Sequence, residues 1–168
     1  MRIAVIGTGR WGTNIANTVE QKYDCVRIDL GDSVNYDYDA AIIATPAPTH
    51  HFLANEHLAK SIPVLIEKPV SILNETVQHI CDIAKSNNTV CQAGHILCFT
   101  ANTQWIKNSY PLDTLKMFES RRLNWGTIPQ GDVDLALHLS VHDLALLDYL
   151  KGEEIQSVQK FSEFTTEC

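Results

Sequence analysis

The sequence lacks several features that would place it in a familiar class at once. Its five cysteines, Cys25, Cys81, Cys91, Cys98 and Cys168, are an odd number with no Cys-x-x-Cys spacing. That argues against a disulfide framework or a cysteine-built zinc site, and it points to a reducing cytoplasm with most thiols acting as small core residues. No hydrophobic run approaches the roughly 20 residues of a membrane helix, so no membrane partner is expected. The apolar start, Ile3 to Ile6, is too short for the core of a secretory leader. Lysine and arginine form no cluster, and the net charge is -7, which works against a nucleic-acid partner. The acids are scattered, as on an ordinary solvated surface.

What remains is a chain of 168 residues, 45% hydrophobic, enough for one domain with a core, or a domain and an appendage. Strand-like and helix-like stretches alternate. Residues 3–6, 25–30, 40–44, 63–66 and 89–92 read as strands, and "AAIIA" at 40–44 as one buried on both faces. Helices are expected over 10–23, 49–60, from a Ser71 cap through Ala84, and over 99–108. This alternation predicts an α/β fold with a doubly wound parallel sheet. The texture changes after Pro111, which divides the chain into residues 1–111 and 112–168. The second part reads as a strand over 115–123, a Gly/Pro loop, a long helix over 134–150 and a last strand over 155–164.

Three glycines, Gly7, Gly9 and Gly12, follow the first strand directly and open a helix. In G-x-G-x-x-G the first glycine allows the tight turn, the second lets the backbone approach a pyrophosphate, and the third lets helix and strand pack closely. The turn Gly7-Thr8-Gly9-Arg10-Trp11-Gly12 is therefore the expected dinucleotide site, with Trp11 closing it by packing and Arg10 either reaching a phosphate or simply exposed. Asp29, at the end of the second strand, falls slightly short of the usual spacing of about 20 residues for the acid that holds the ribose hydroxyls. An acid there favours NAD over NADP, and Asp32 competes for the role. Few residues separate Asp29 from the next strand, so the sheet is expected to be abbreviated there.

The ordered set "GTGRWG", "ATPAPTHH", "EKP" at Glu67-Lys68-Pro69 and "GH" at Gly94-His95 resembles the Gfo/Idh/MocA oxidoreductases. "RLNWG" at 122–126 and "HDLALLDYL" at 142–150 are similar to the branch that oxidises nucleotide-activated hexuronic acids. The resemblance implies a Rossmann-type domain and a nicotinamide cofactor. It also implies a small-molecule sugar or nucleotide-sugar substrate and assembly into a homo-oligomer. It places Thr45 and Pro46 on the nicotinamide side and Glu67 beside the cofactor, while His50 and His51, after "PAPT", either face the cofactor or simply start a helix. Lys68 falls between nicotinamide and substrate, and the family's Pro69 often follows a cis bond. His142 corresponds to the histidine that ends D-x-x-x-H on the long helix, but His138 stands where the family carries the acid. His95, Arg122 and Asn124 are the expected substrate contacts.

Lys68, His142 and His138 are thus the expected catalytic groups. The alternative is a non-catalytic dinucleotide-binding sensor or partner module, favoured by His138 and by the absence of the family's long C-terminal sheet. The His138/His142 pair, with His95 or Asp134, also has metal-ligand spacing. It lacks the glutamate of H-E-x-x-H, and no metal is expected there. His57 and His79 read as surface or core-edge residues.

Overall fold

The computed structural model describes residues 1–121, 135–152 and 156–159, with side chains in the last helix described from Leu139 onward. Its frame is a five-stranded parallel sheet. In chain order the strands are β1 (Arg2–Ile6), β2 (Asp24–Ile28), β3 (Ala40–Ile43), β4 (Val64–Ile66) and β5 (Cys91–Ala93). In space the order is β2-β1-β3-β4-β5, and Ile6 aligns with Ile28 on one side and Ile43 on the other. Helices α1 (Arg10–Val19), α2 (Ala47–Leu58) and α3 (Asn74–Ser86) connect the strands. The expected Rossmann-type sheet is present.

Alternation along β1 and β3 divides the core into two layers. Ala4, Ile6, Ala41 and Ile43 meet Ala54 and Leu58 of α2 and Ile80 and Ala84 of α3. Ile3 and Val5 point the other way, onto Ala16 and Val19 of α1. Full burial of residues such as Val5, Ile43 and Leu58 contributes about 1.5–3 kcal/mol each.

Between β2 and β3 the chain returns across the sheet through residues 29–39 with neither helix nor strand. Val34 and Tyr36 pack on the core, and Tyr38 is buried in it. Tyr38 stacks on His57 of α2, with ring centroids 5.9 Å apart. His57 is therefore a core residue, deeper than the surface or core-edge position expected. Its Nδ1 lies 2.7 Å from the Leu53 carbonyl oxygen, which only accepts. The ring proton thus sits on Nδ1, and Nε2 accepts from the Tyr38 hydroxyl at 2.7 Å. The phenol and imidazole satisfy each other in a layer that a helix would otherwise fill.

Burial holds the His57 pKa below the ordinary 6.5. Above that value the residue is neutral whether folded or not. As pH falls through 6.5 the unfolded chain takes up the proton first, so stability is lost with acid until the folded-state pKa is passed. His95, whose pKa is also lowered by burial, acts in the same direction. Urea midpoints should therefore fall between pH 7.5 and pH 5.5, and the fall should be shallower in His57→Gln.

Several elements differ from expectation; α1, for one, ends at Val19 rather than running to residue 23. Helix α3 starts at Asn74 with Leu73 at its cap position. Ser71 Oγ instead accepts from the Leu73 amide at 3.1 Å, which closes a turn before the helix. Residues 115–121 are not a strand. They are mostly exposed, with Met117 at 76%, and a strand forms only where a neighbouring edge takes its backbone hydrogen bonds. Residues 156–159 form no strand either, and the rest of that expected element lies outside the described residues. Of the thiols, Cys98 is buried, Cys25 and Cys91 are half-buried, and Cys81 is exposed rather than in the core.

Beyond β5 the chain makes a 3-10 turn at Ile96–Phe99, then α4 (Ala101–Ser109) and, after a further 3-10 turn at Leu112–Thr114, α5 (Leu135–Lys151). Thr100 caps α4 by accepting from the Thr103 amide at 3.3 Å. Helix α5 lies against the first of these turns: Cys98 Sγ donates to the Ala145 carbonyl at 3.5 Å. Lys107 of α4 donates to the Tyr149 carbonyl at 2.9 Å and sits 3.5 Å from the centre of the Tyr149 ring.

Candidate cofactor and active site

The glycine turn leaves β1 at the point where the sheet order reverses, between β1 and β3. Gly7 has φ 94°, a conformation only glycine adopts readily. A side chain there would also meet the Ala44 carbonyl at 2.9 Å and Thr45 Cγ2 at 2.8 Å. Gly12 sits so close to Gly7 that a Cβ would lie 1.8 Å from the Gly7 oxygen. At Gly9 the same construction meets nothing within 4 Å. The first and third glycines are thus required by packing, and the second borders open space. Helix α1 begins at that opening with no side-chain cap and no acid in its first turn. Its first N–H groups are left to a ligand or solvent, and the helix dipole favours an anion there. Arg10 and Trp11 stand exposed at the rim, Trp11 at 48%.

Asp29 ends β2 beside this turn. Its carboxylate accepts from the Thr8 hydroxyl and from the Leu30 amide at 2.8 Å. The Thr8 hydrogen bond is the main reason its pKa is lowered. Asp32, the competing acid, instead accepts from the Asp29 backbone N–H at 2.7 Å, so it shapes the loop around Asp29. The link through Thr8 had no signal in the sequence beyond the position of Thr8 inside the glycine turn.

Thr45 and Pro46 follow β3, and Pro46 occupies the cap position of α2. The Thr49 hydroxyl bonds both Thr45 Oγ1 and the Pro46 carbonyl at 2.7 Å. His50 is buried, with 1% exposure. Its ring spans two turns, with Nε2 2.8 Å from the Thr45 carbonyl oxygen and Nδ1 3.0 Å from that of Pro69. A neutral ring donates to one of these oxygens and an imidazolium to both. His50 thus pins the Thr45-Pro46 turn to the Lys68-Pro69 turn, where the peptide bond is cis. Glu67 is buried beneath Gly94, where a Cβ would come within 3.0 Å of Glu67 Oε1.

Next to Gly94, burial lowers the His95 pKa while the Glu67 carboxylate opposes that shift. His95 Nδ1 is buried and has no hydrogen-bond partner among the described residues. A cavity of about 370 Å³ opens between β5, the turn after His95 and α5, lined by His95, Phe99, Asp148 and Tyr149 among others. His142 lies on α5, one turn before Ala145. His138 lies one turn earlier, and its side chain is outside the described residues, as are Arg122 and Asn124.

The structure therefore gathers the glycine turn, Asp29, Thr45-Pro46 and Glu67-Lys68 at the carboxyl ends of β1 to β4, with His95 just past β5. This is where open α/β sheets bind ligands. The fold and this edge define an NAD-binding Rossmann domain. Comparison with known proteins agrees: residues 29–95 match the Gfo/Idh/MocA family model, described as the oxidoreductase family, NAD-binding Rossmann fold. The match begins at Asp29, so the glycine turn is assigned by its geometry.

Among curated relatives, UDP-N-acetylglucosamine 3-dehydrogenase of Acidithiobacillus ferrooxidans is 28% identical over 92% of this chain and 55% of its own length. Inositol 2-dehydrogenase of an Arthrobacter strain is 26% identical over 95% of this chain and 56% of its own. A solved structure of the Acidithiobacillus ferrooxidans UDP-N-acetylglucosamine 3-dehydrogenase superposes with a TM-score of 0.74 at 22% identity, covering 92% of this chain and 55% of that one. The chain thus spans about half the length of the curated relatives it matches. No helix among the described residues is long and apolar enough to cross a membrane.

Proposed function

We propose that this chain carries the cofactor-binding part of an NAD-dependent oxidoreductase that moves a hydride between a sugar or nucleotide-sugar hydroxyl and nicotinamide. The observation that carries this reading is the turn from β1 into α1. Gly7 and Gly12 interlock, Gly9 borders open space, the helix start is uncapped, and an ionised Asp29 stands beside it. These residues fit a dinucleotide: main-chain N–H groups of the turn hold the diphosphate, and Asp29 takes the adenosine ribose hydroxyls. Thr45, Pro46, His50 and Glu67 shape the nicotinamide side. The cofactor, when bound, supplies the hydride acceptor. Lys68 hydrogen-bonds the reacting hydroxyl, and His142 takes its proton. His95, Arg122 and Asn124 contact the substrate, with the arginine fork suited to a phosphate or carboxylate. Assembly into a homo-oligomer and a cytoplasmic setting belong to the same reading.

The test is direct. NAD should change the tryptophan fluorescence, to which Trp11 contributes, and NADH should form at 340 nm with one member of a UDP-sugar panel. A second reading, a dinucleotide sensor or partner module, is favoured by the irregular crossing at residues 29–39 and by His138 in place of an acid. Binding without turnover across the panel would select it, and absence of NAD binding would overturn both.

Asp29 separates cofactors. Hydrogen bonds to a charged group contribute about 1.5–3 kcal/mol. Asp29→Ser should therefore weaken NAD by about tenfold or more, and the NAD-to-NADP affinity ratio should fall because the charge opposing a 2′-phosphate is gone. Calorimetry with both cofactors reads the two effects.

A further inference from the structure

One polar cluster takes no part in the site described above. His51 on α2 and His79 on α3 face each other across the two helices, with Nε2 and Nδ1 2.9 Å apart. The rings meet edge to face, with centroids 5.2 Å apart. Asn55, one turn along α2 from His51, brings its amide Nδ2 to 2.7 Å from His51 Nε2 and 3.3 Å from His79 Nδ1. Its other amide atom, Oδ1, is buried with no hydrogen-bond partner among the described residues. Two imidazole nitrogens and an amide, carried by separate helices, thus converge on one small volume.

We propose that His51, His79 and Asn55 form a binding site for a divalent first-row transition ion that ties α2 to α3. Imidazole nitrogens are the preferred donors for Ni²⁺, Cu²⁺ and Zn²⁺ among ordinary side chains. Two such nitrogens on one ion, each at about 2.0–2.1 Å, lie a little over 3 Å apart, so the pair needs only a small side-chain adjustment to admit one. Turning the Asn55 amide by half a rotation presents Oδ1 to the same point as a third donor. Among the described residues no cluster of three His, Cys, Asp or Glu is available to hold a metal, so water completes the shell and the ion stays exchangeable. Loading requires the proton between the facing nitrogens to leave, either to the outer nitrogen of its own ring or to solvent. No electrons are exchanged.

The site does not depend on the dehydrogenase reading. It bears on the cofactor edge all the same, because α2 continues from Thr45-Pro46 and α3 follows Lys68-Pro69. An ion between the two helices fixes the spacing of elements that His50 already joins by hydrogen bonds.

The probe is Ni²⁺, which does not oxidise thiols. It is titrated by calorimetry into the chelator-treated full chain in a Cys81→Ser background, so that the exposed thiol on α3 does not compete. One-site binding with a Ni²⁺-dependent rise in melting temperature is expected. His51→Ala and His79→Ala should each weaken binding by more than about tenfold, since each removes one of two ring donors. His79→Gln, which keeps much of the side-chain bulk, should do the same, and circular dichroism confirms the fold of each variant. Unchanged affinity in folded His51→Ala and His79→Ala, or no heat and no melting shift at millimolar Ni²⁺, overturns the proposal.

Discussion

Gly12→Ala should abolish measurable NAD binding and strongly destabilise the fold, whereas Gly9→Ala should keep the fold and lose affinity. The two substitutions add the same methyl group three residues apart, yet the structure gives them opposite surroundings. At position 12 the new carbon would lie 1.8 Å from the Gly7 carbonyl oxygen and 2.9 Å from its carbon. Both are backbone atoms, so no flexible side chain can move aside. Either α1 shifts outward or the end of β1 gives way. Overpacking in a well-packed core commonly costs about 1–3 kcal/mol, and a backbone clash this close belongs at or above the upper end. The same shift would move the helix N-terminus off the phosphate position. At position 9 the methyl meets nothing within 4 Å, so the melting temperature should stay near that of the parent. It would, however, occupy the space through which a diphosphate approaches the main-chain N–H groups, and NAD affinity should drop by at least about tenfold, as expected when charge-assisted hydrogen bonds lengthen. Melting curves and NAD titrations on both variants check this. A Gly12→Ala protein with parental stability would refute the interlocked turn, and a Gly9→Ala protein with parental affinity would remove the diphosphate from this loop.

The elements legible in the sequence were those whose pattern is local. The first strand, the glycine turn and Asp29 could be read in order because each obeys a short-range rule: apolar run, turn chemistry, acid at a strand end. The shortened segment after Asp29 was legible from spacing alone. What filled it was not. Tyr38 and His57 are far apart in sequence and become partners only when the 29–39 crossing lies over α2. Helix α2 also concealed its buried face, because that face carries His50, Ala54, His57 and Leu58. Two of the four are polar, so hydrophobic periodicity gives little sign of them. His50, from its place after "PAPT", was open between facing the cofactor and starting the helix. Its ring lies between two backbone carbonyls, a contact set by the tertiary approach of Pro69. The expected strand at 115–123 erred for the reverse reason. Its residues have strand-like character, but the described part has no edge to pair with, and pairing is what makes a strand.

Replacing Lys68 by methionine should lower turnover by about 10²–10⁴-fold, the usual contribution of a positioned proton-handling group, and leave NAD affinity close to that of the parent. The argument rests on where the lysine is mounted. It follows β4 directly, after Glu67, which is buried and whose amide donates to the Ile43 carbonyl at 2.9 Å. On its other side the Pro69 carbonyl is held by buried His50 at 3.0 Å. Both neighbours of Lys68 are therefore fixed by the core, and its direction is set by the backbone rather than left to a flexible loop. In the proposed reading, an ammonium mounted on this backbone donates to the hydroxyl being oxidised and stabilises the charge that develops on its oxygen. Methionine keeps much of the aliphatic stem but provides no such donor. Arginine keeps the charge but not the compact geometry, so Lys68→Arg should recover little of the lost rate. In the proposed reading the diphosphate and ribose contacts lie at the glycine turn and Asp29, so binding should survive both changes. The measurements are NADH formation at 340 nm with the sugar nucleotide that turns over in the parent, and NAD titration of each variant. Parental turnover in Lys68→Met would remove the lysine from the chemistry and leave His142 as the group to test, through the turnover of His142→Gln.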